Sequence, residues 1–580
     1  MIKKLVSFTK GYTFYAVITP ILVMLEVSME VTLPFVISKI IDVGINGDGG
    51  TPYVLKMGLI MVAMAVFSLI MGGLAGRTCS VAAVGFSTNL RGGLFAKVQD
   101  FSFANTDKFT TSSLVTRLTT DVNNVQMSYM MLLRMLVRSP MMLITATIMA
   151  MNINLKLSVV FLVAIPFLGG AIALCGGFAY PRFIKMLKRY DLINENVQED
   201  LAAIRVVKTF VRENHETEKF RKSSEDLRKM HISAEKCLIF IMPVMMLTAY
   251  ACVLSILYLG GGYIMKGAMT TGELTSFLSY IMQILMSLLM LGFIFVMVVM
   301  SRASATRIVE VLNEKIDITD HDADESLTVE DGSIEFDNVN FAYAKGAENF
   351  VLKNVNLKIK SGETVGIVGG TGASKTTFVQ LIPRLYDVTE GQVRVGGHDV
   401  KNYKLDVLRG SVAMVLQKNV LFSGTIRENL RWGDNDATDE EIENACKTAC
   451  AYDFIESFPD KFETVLGQGG VNVSGGQKQR LCIARALLKK PRIMILDDST
   501  SAVDTATDKK IRNELKKNLA GMTTIIIAQR VASIMDADKI IVMDNGEIKD
   551  VGTHAELLER SEIYRDVYYS QTYVEEAKNA

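Results

Sequence analysis

Three short stretches carry residues able to handle phosphate. In the first, Gly369, Gly370, Thr371, Gly372, Ala373 and Ser374 lead into Lys375, Thr376 and Thr377, directly behind an apolar, strand-like run at 363–368. A glycine-rich turn between strand and helix lets backbone N–H groups close around phosphate oxygens, and the helix start adds positive dipole. Against the pattern G-x-x-x-x-G-K-[ST], Gly369, Lys375 and Thr376 match, while Ser374 stands where the second glycine belongs. In such a loop Lys375 reaches the outer phosphates and Thr376 offers a hydroxyl to Mg²⁺. The second stretch, 491–498, reads as a buried strand ending in Asp497 and Asp498, the form of an acidic strand that holds Mg²⁺. The third, Ser474, Gly475, Gly476 and Gln477, opens a helical run reaching Leu487. Ser474 is a good N-cap, and the two glycines leave the helix end open to an anion. One chain acting alone has no use for a second phosphate-binding helix end. It makes sense if that end closes on nucleotide held by another domain.

These motifs need an α/β scaffold, and one is present from residue 333 onward, where short strand-like runs alternate with helical patterns. The first 300 residues are of another kind. Of 580 residues, 49% are hydrophobic and 21% charged, and the apolar share is concentrated in this half. Segments 57–76, 139–155, 157–181, 237–265 and 274–301 contain no Asp, Glu, Lys or Arg, and a sixth, 11–37, is broken only by Glu26 and Glu30. About 20 apolar residues cross a bilayer as a helix, so six spans are predicted. A polar, acidic stretch at 313–332 reads as the linker between a membrane domain at 1–312 and a nucleotide domain at 333–580. Net charge is zero, which argues against a nucleic-acid partner. The seven cysteines have no metal-like spacing and read as free thiols.

Basic residues set the expected orientation. Arg91, Lys97, Lys108, Arg117, Arg134 and Arg138 fall between spans two and three, and Arg182 to Arg212 carry more between spans four and five. The opposite loops offer Lys56, Lys156 and Lys266. This bias predicts a multi-pass protein of the cell membrane, with both termini and the nucleotide domain in the cytoplasm. Helical spacing of Val197, Leu201, Ile204, Val207 and Val211 predicts helices running past the bilayer. Glu26 and Glu30, one turn apart, share a helix face. Intramembrane carboxylates line a cavity or pair with a neighbouring helix, so both residues are candidates for a substrate cavity.

In their order, the motifs resemble an ABC exporter half-transporter, and the resemblance covers essentially the whole chain. Its most specific parts are SGGQ (474–477), QRLCIARAL (479–487) and ILDDSTSAVD (495–504). The resemblance implies an all-α six-helix transmembrane domain followed by an α/β ABC nucleotide-binding domain that uses ATP and Mg²⁺. It implies that Tyr343 stacks on adenine and that Gln417 joins Thr376 and Asp497 around Mg²⁺. Ser501 and Asp504 would belong to a loop signalling across a dimer, and Ser474–Gln477 would act in trans. Coupling helices are expected at 113–122 and 209–220.

Three positions depart from the family pattern. Asp498 replaces the catalytic glutamate, withdrawing the carboxylate by roughly 1.5 Å, where a general base needs a reach of about 2.6–3.2 Å. Gln529 replaces the switch histidine and cannot carry its proton chemistry. Ser374 would cost about 1 kcal/mol if its site needs positive φ. All three fall on the half-site built on this chain's own phosphate loop, while Ser474–Gln477 is intact. The expectation is therefore a degenerate-site subunit of a heterodimeric, multidrug-type exporter of lipophilic or amphipathic drugs, lipids or peptides, partnered by a homologous half-transporter. A slow homodimeric exporter and an ATP-gated channel or regulator on the same fold are the competing readings.

Overall fold

A computed structural model describes residues 2–321, 323–344, 349–498, 503–518 and 521–579. The chain forms two compact units. One comprises Met1–Gln99 and Thr110–Glu314, the other Asp100–Phe109 and Lys315–Ala580. The longer helices of the first half, in chain order, are α1 (Thr13–Lys39), α2 (Gly50–Gln99), α3 (Phe103–Phe109), α4 (Val122–Ile153), α5 (Val159–Ala202), α6 (Glu213–Ile239), α7 (Ile241–Met265) and α8 (Thr271–Asn313). Six helices among the described residues are long and apolar enough to cross a membrane. At 1.5 Å per residue the 50-residue α2 extends about 75 Å, against a hydrocarbon core of about 30 Å. The expected extension past the bilayer is thus built into single unbroken helices.

In the first unit α1, α2, α4 and α8 pack together, and α5 pairs with α6 and α7. Helix α1 buries Val23, Val27 and Val31, spaced one turn apart on one face. Pro34 removes the backbone N–H that Glu30 O would accept, and α8 is tied to the same stretch of α1: Tyr280 Oη donates to Val31 O at 3.0 Å and Ser276 Oγ to Pro34 O at 2.5 Å. Beside them the Phe161 and Phe277 rings stack with centroids 5.0 Å apart.

Glu26 and Glu30 both pair with Arg138 of α4. Nη1 donates to Glu26 Oε1 and Nη2 to Glu30 Oε2, each at 2.6 Å. Arg138, expected among the cytosolic charges, lies inside the helix that carries the third span. Gly72 on α2 lies against the cluster: a Cβ there would sit 3.0 Å from Glu26 Oε1, which would have to give by a few tenths of an ångström. Removing one partner leaves partly buried charge uncompensated, whereas removing the whole group does not. Arg138→Leu should therefore destabilise the protein by about 2 kcal/mol or more, and adding Glu26→Gln and Glu30→Gln should recover most of the loss. Thermal inactivation of the solubilised variants measures both; a harmless Arg138→Leu would count against a structural ion cluster.

The second unit contains two large sheets and a short two-stranded one pairing Gly424–Thr425 with Val465–Leu466. Its elements are β1 (Ile334–Phe341), β2 (Leu352–Ile359), β3 (Thr364–Val368), α9 (Lys375–Gln380), β4 (Glu390–Val395), β5 (His398–Asp399), β6 (Val412–Val415), α10 (Gly475–Leu488), β7 (Ile493–Asp497), α11 (Thr505–Asn518), β8 (Thr523–Ile527), β9 (Lys539–Asp544) and β10 (Glu547–Gly552). An antiparallel sheet has the order β2-β1-β4-β5, and a six-stranded sheet the order β10-β9-β3-β8-β7-β6. The latter is parallel except for its edge strand β10. Every residue of β7 and β8 is buried, as expected of parallel strands covered on both faces.

Two expectations about the cytosolic connections are corrected. Residues 113–122 belong to the first unit, where Arg117 donates to Arg307 O at 3.0 Å and Asp121 pairs with Arg307. The segment that packs with the nucleotide unit is α3, ten residues earlier. Ala104 is seated on that unit's core, and Asn105 Nδ2 donates to Lys315 O at 3.0 Å. Residues 209–220 are not one helix: Ile204–Thr209 ends, Val211 takes φ 53°, and α6 starts at Glu213. In the stretch read as the linker, the residues from Lys315 onward belong to the second unit and make contacts within it. Asp317 accepts from Ser102 Oγ at 2.6 Å, Asp320 from Leu405 N at 2.9 Å, and Glu325 pairs with Lys404 at 2.7 Å.

Candidate functional site

Strands β3, β8 and β7 lie side by side, and at their carboxyl ends begin the glycine-rich loop, the segment Ala528–Gln529 and the pair Asp497–Asp498. Crevices at such strand ends are the usual binding places of parallel sheets. Gly369 admits no side chain, because a Cβ would run into the Met543 carbonyl oxygen, and Gly372 has φ 87°. Ser374 takes φ 66° and ψ 24°, the left-handed conformation that glycine adopts without strain. Ser374→Gly should stabilise the protein by about 1 kcal/mol, raising the unfolding midpoint by about 2–4 °C. Calorimetry of the two proteins checks this, and no rise would mean that Ser374 is unstrained.

Lys375 folds back over the loop, donating from Nζ to Gly369 O and Gly370 O at 2.8 Å each, and burial lowers its pKa. Thr376 Oγ1 donates to Asp497 Oδ1 at 3.1 Å. Burial raises the pKa of Asp497, whose Oδ2 is buried with no hydrogen-bond partner. An orphaned carboxylate oxygen beside a hydroxyl suits a hard cation whose other ligands come from phosphate and water. These residues therefore fit Mg²⁺.

Asp498 is buried at φ 48°, and its N–H continues the ladder to Ile527 O at 3.0 Å. Its Oδ2 accepts from Gln529 Nε2 at 2.7 Å and from Gln417 Nε2 at 3.4 Å. Burial raises its pKa, and the two glutamine amides oppose that shift. Gln529 is itself clamped, because Gln571 Nε2 donates to its carbonyl at 2.7 Å while Gln571 Oε1 accepts from Val531 N at 2.8 Å. The fold thus brings Gln417, Asp498 and Gln529 to one carboxylate oxygen.

Tyr343 is half-exposed. Its hydroxyl lies 2.8 Å from Thr377 Oγ1, and its ring meets Phe341 and Tyr386 edge-on, with centroids 4.9 and 5.1 Å away. Ser474 caps α10 through a capping box: its Oγ accepts from Gln477 N at 3.3 Å, and Gln477 Oε1 accepts from Ser474 N at 2.8 Å. Ser474 and Gly475 are exposed at this helix start. Asp504 accepts from Thr507 N at 2.9 Å at the head of α11, and that backbone bond lowers its pKa. Ser501 lies outside the described residues. Two residues that no motif singles out stand forward, Arg138 as the partner of both membrane carboxylates and Tyr386 as the neighbour of Tyr343.

The ABC transporter transmembrane region matches residues 17–288, and the ABC transporter domain matches residues 352–501. An uncharacterized ABC transporter ATP-binding protein of Bacillus subtilis, YfiB, is 38% identical over 98% of each chain. This chain belongs to the ABC transporter family. An ATP-dependent lipid A-core flippase of Syntrophus aciditrophicus is 32% identical over 83% of this transporter and 80% of its own length. A bacterial Atm1-family ABC exporter solved with ATP bound superposes with a TM-score of 0.84 at 25% identity, covering 96% of this transporter and 99% of that chain. The transporter is thus an ABC exporter half-transporter: a membrane region fused to an ATPase domain whose hydrolysis is coupled to transport.

Proposed function

We propose that this chain is one subunit of a heterodimeric exporter of lipophilic or amphipathic molecules, holding ATP in its own phosphate-loop site with little turnover. The clamped Asp498–Gln529 pair carries this reading. A shortened carboxylate that accepts two amide donors on one oxygen is poorly placed to orient an attacking water. Gln529 also stays neutral where a histidine could gain a proton.

In this site Tyr343 stacks on the base. The backbone of Gly369, Gly370, Thr371, Gly372, Ala373 and Ser374 encloses the phosphates, with Thr377 completing the first helical turn. Lys375 moves from the loop carbonyls to the outer phosphates, a short reach for an amine already at the loop mouth. Thr376, Asp497 and Gln417 would hold Mg²⁺, which would supply positive charge against the outer phosphates. Ser474, Gly475, Gly476 and Gln477 act on ATP held by a homologous half-transporter, and the segment 501–504 signals across that interface. The basic bias of the polar connections supports a nucleotide domain in the cytoplasm of a cell-membrane protein. Similarity to a lipid A-core flippase favours a cargo with both polar and apolar parts.

Co-purification tests the assembly. A homologous subunit should be recovered with the full chain, and the pair should hydrolyse ATP far faster than this chain alone. Vigorous turnover by the chain alone would overturn the reading.

A further inference from the structure

Helix α3 follows α2 after three residues, yet it packs with the nucleotide unit. Seven residues form only two turns, too few to persist without tertiary support, so the order of α3 depends on what it touches. One contact leads straight to the nucleotide site. Tyr386 is buried, with its ring 5.1 Å from Tyr343 at 86° and 5.9 Å from Phe103 of α3. Its hydroxyl donates to Asp107 Oδ2 at 2.8 Å, a charge-assisted bond that, with burial, holds the phenol in its neutral form. Phe341, itself buried, meets both tyrosines at 4.9 and 5.7 Å.

We propose that Tyr386 is a positioning residue that ties the seating of α3 to the presence of a nucleobase on Tyr343. The inference rests on the reading of Tyr343 as the stacking residue. A base laid on the half-exposed Tyr343 fixes that ring. Tyr386, confined by Phe341 and Phe103, has no slack to absorb the constraint, because interiors are packed like crystals. Its hydroxyl then holds Asp107, and with it the second turn of α3. The site thereby reports the base as well as the phosphates, and the report reaches a helix that is three residues from the end of α2. In thermodynamic terms this is a coupling between base binding and α3 order, so each must strengthen the other.

Hydrogen exchange on the full-length protein in lipid nanodiscs, with its partner subunit where one co-purifies, tests the proposal. The probes are ATP and inorganic tripolyphosphate, each with Mg²⁺ at saturation. ATP should slow exchange across 103–109 by about tenfold, and tripolyphosphate, which has no base, should slow it by less than about twofold. Tyr386→Phe keeps every ring contact and removes the hydroxyl. It should bring the ATP response down to about twofold while shifting ATP affinity by less than about twofold. Asp107→Asn, which keeps an oxygen acceptor, should retain an intermediate response. An undiminished ATP response in Tyr386→Phe, or equal responses to ATP and tripolyphosphate, would overturn the coupling. The reading of Tyr343 is checked separately, since Tyr343→Ala must weaken ATP binding. If it does so while Tyr386→Phe behaves like the parent, the stacking stands and the link to α3 falls.

Discussion

Gly476→Asp should lower ATP hydrolysis by the assembled transporter about a hundredfold or more, whereas Lys375→Ala should lower it by less than about fivefold. Gly476 lies in the first turn of α10, where the helix dipole favours negative charge. An aspartate there helps the isolated helix, and the Ser474–Gln477 capping box is untouched, so folding should survive. What is lost is affinity for another anion, because the new carboxylate occupies the end of the helix that would meet ATP on the partner. On the proposed reading Lys375 serves the site slowed by Asp498 and Gln529, so its removal should affect binding there more than overall turnover. Steady-state ATPase of the co-purified pair measures the contrast. Equal losses from the two substitutions would mean equivalent sites, and the proposed division of labour would be abandoned.

Asp498→Glu combined with Gln529→His, made in the Gly476→Asp background, should raise the remaining hydrolysis by at least about tenfold. On the proposed reading that background silences the other site, so the gain would be read from this chain's own. Glutamate adds roughly 1.5 Å of reach. Histidine removes the amide now 2.7 Å from the carboxylate and restores a group able to bear a proton. The two changes should exceed the product of the single effects, since glutamate alone would extend into the Gln529 amide. Single-turnover measurements give all four rates. An unchanged double variant would show that the slow chemistry has another cause.

Both experiments draw on residues that stand in contiguous motifs, and such motifs are legible in the amino-acid sequence. Six apolar stretches and a glycine-rich loop behind an apolar strand are local patterns, set by the bilayer's thickness and by phosphate geometry. The strain at Ser374 is legible too, because a serine in a glycine's place implies a positive φ, and its φ is 66°. Pairings across distance are not legible. Arg138 reaches Glu26 over 112 positions, and Tyr386 reaches Asp107 over 279. No local periodicity encodes such contacts, and by composition Arg138 is one more cytosolic charge. The misplacement of the coupling segment has a related cause. Residues 113–122 look as polar and helical as α3, and only the fit of Ala104, Asn105 and Phe103 to the nucleotide unit distinguishes the two.

The tie between Arg138 and the two glutamates also bears on how the chain is made. Glu30 and Arg138 are separated by 108 residues, so at roughly 5–20 residues per second the guanidinium is synthesised about 5–20 s after the carboxylates it neutralises. During that interval the leading hydrophobic segment leaves the ribosome carrying two acids, and one charge at a helix centre costs about 3 kcal/mol on insertion scales. That cost would favour keeping the newborn segment out of the lipid until the third span arrives with its counter-ion. The order of synthesis would therefore favour lateral release of the first span together with the third.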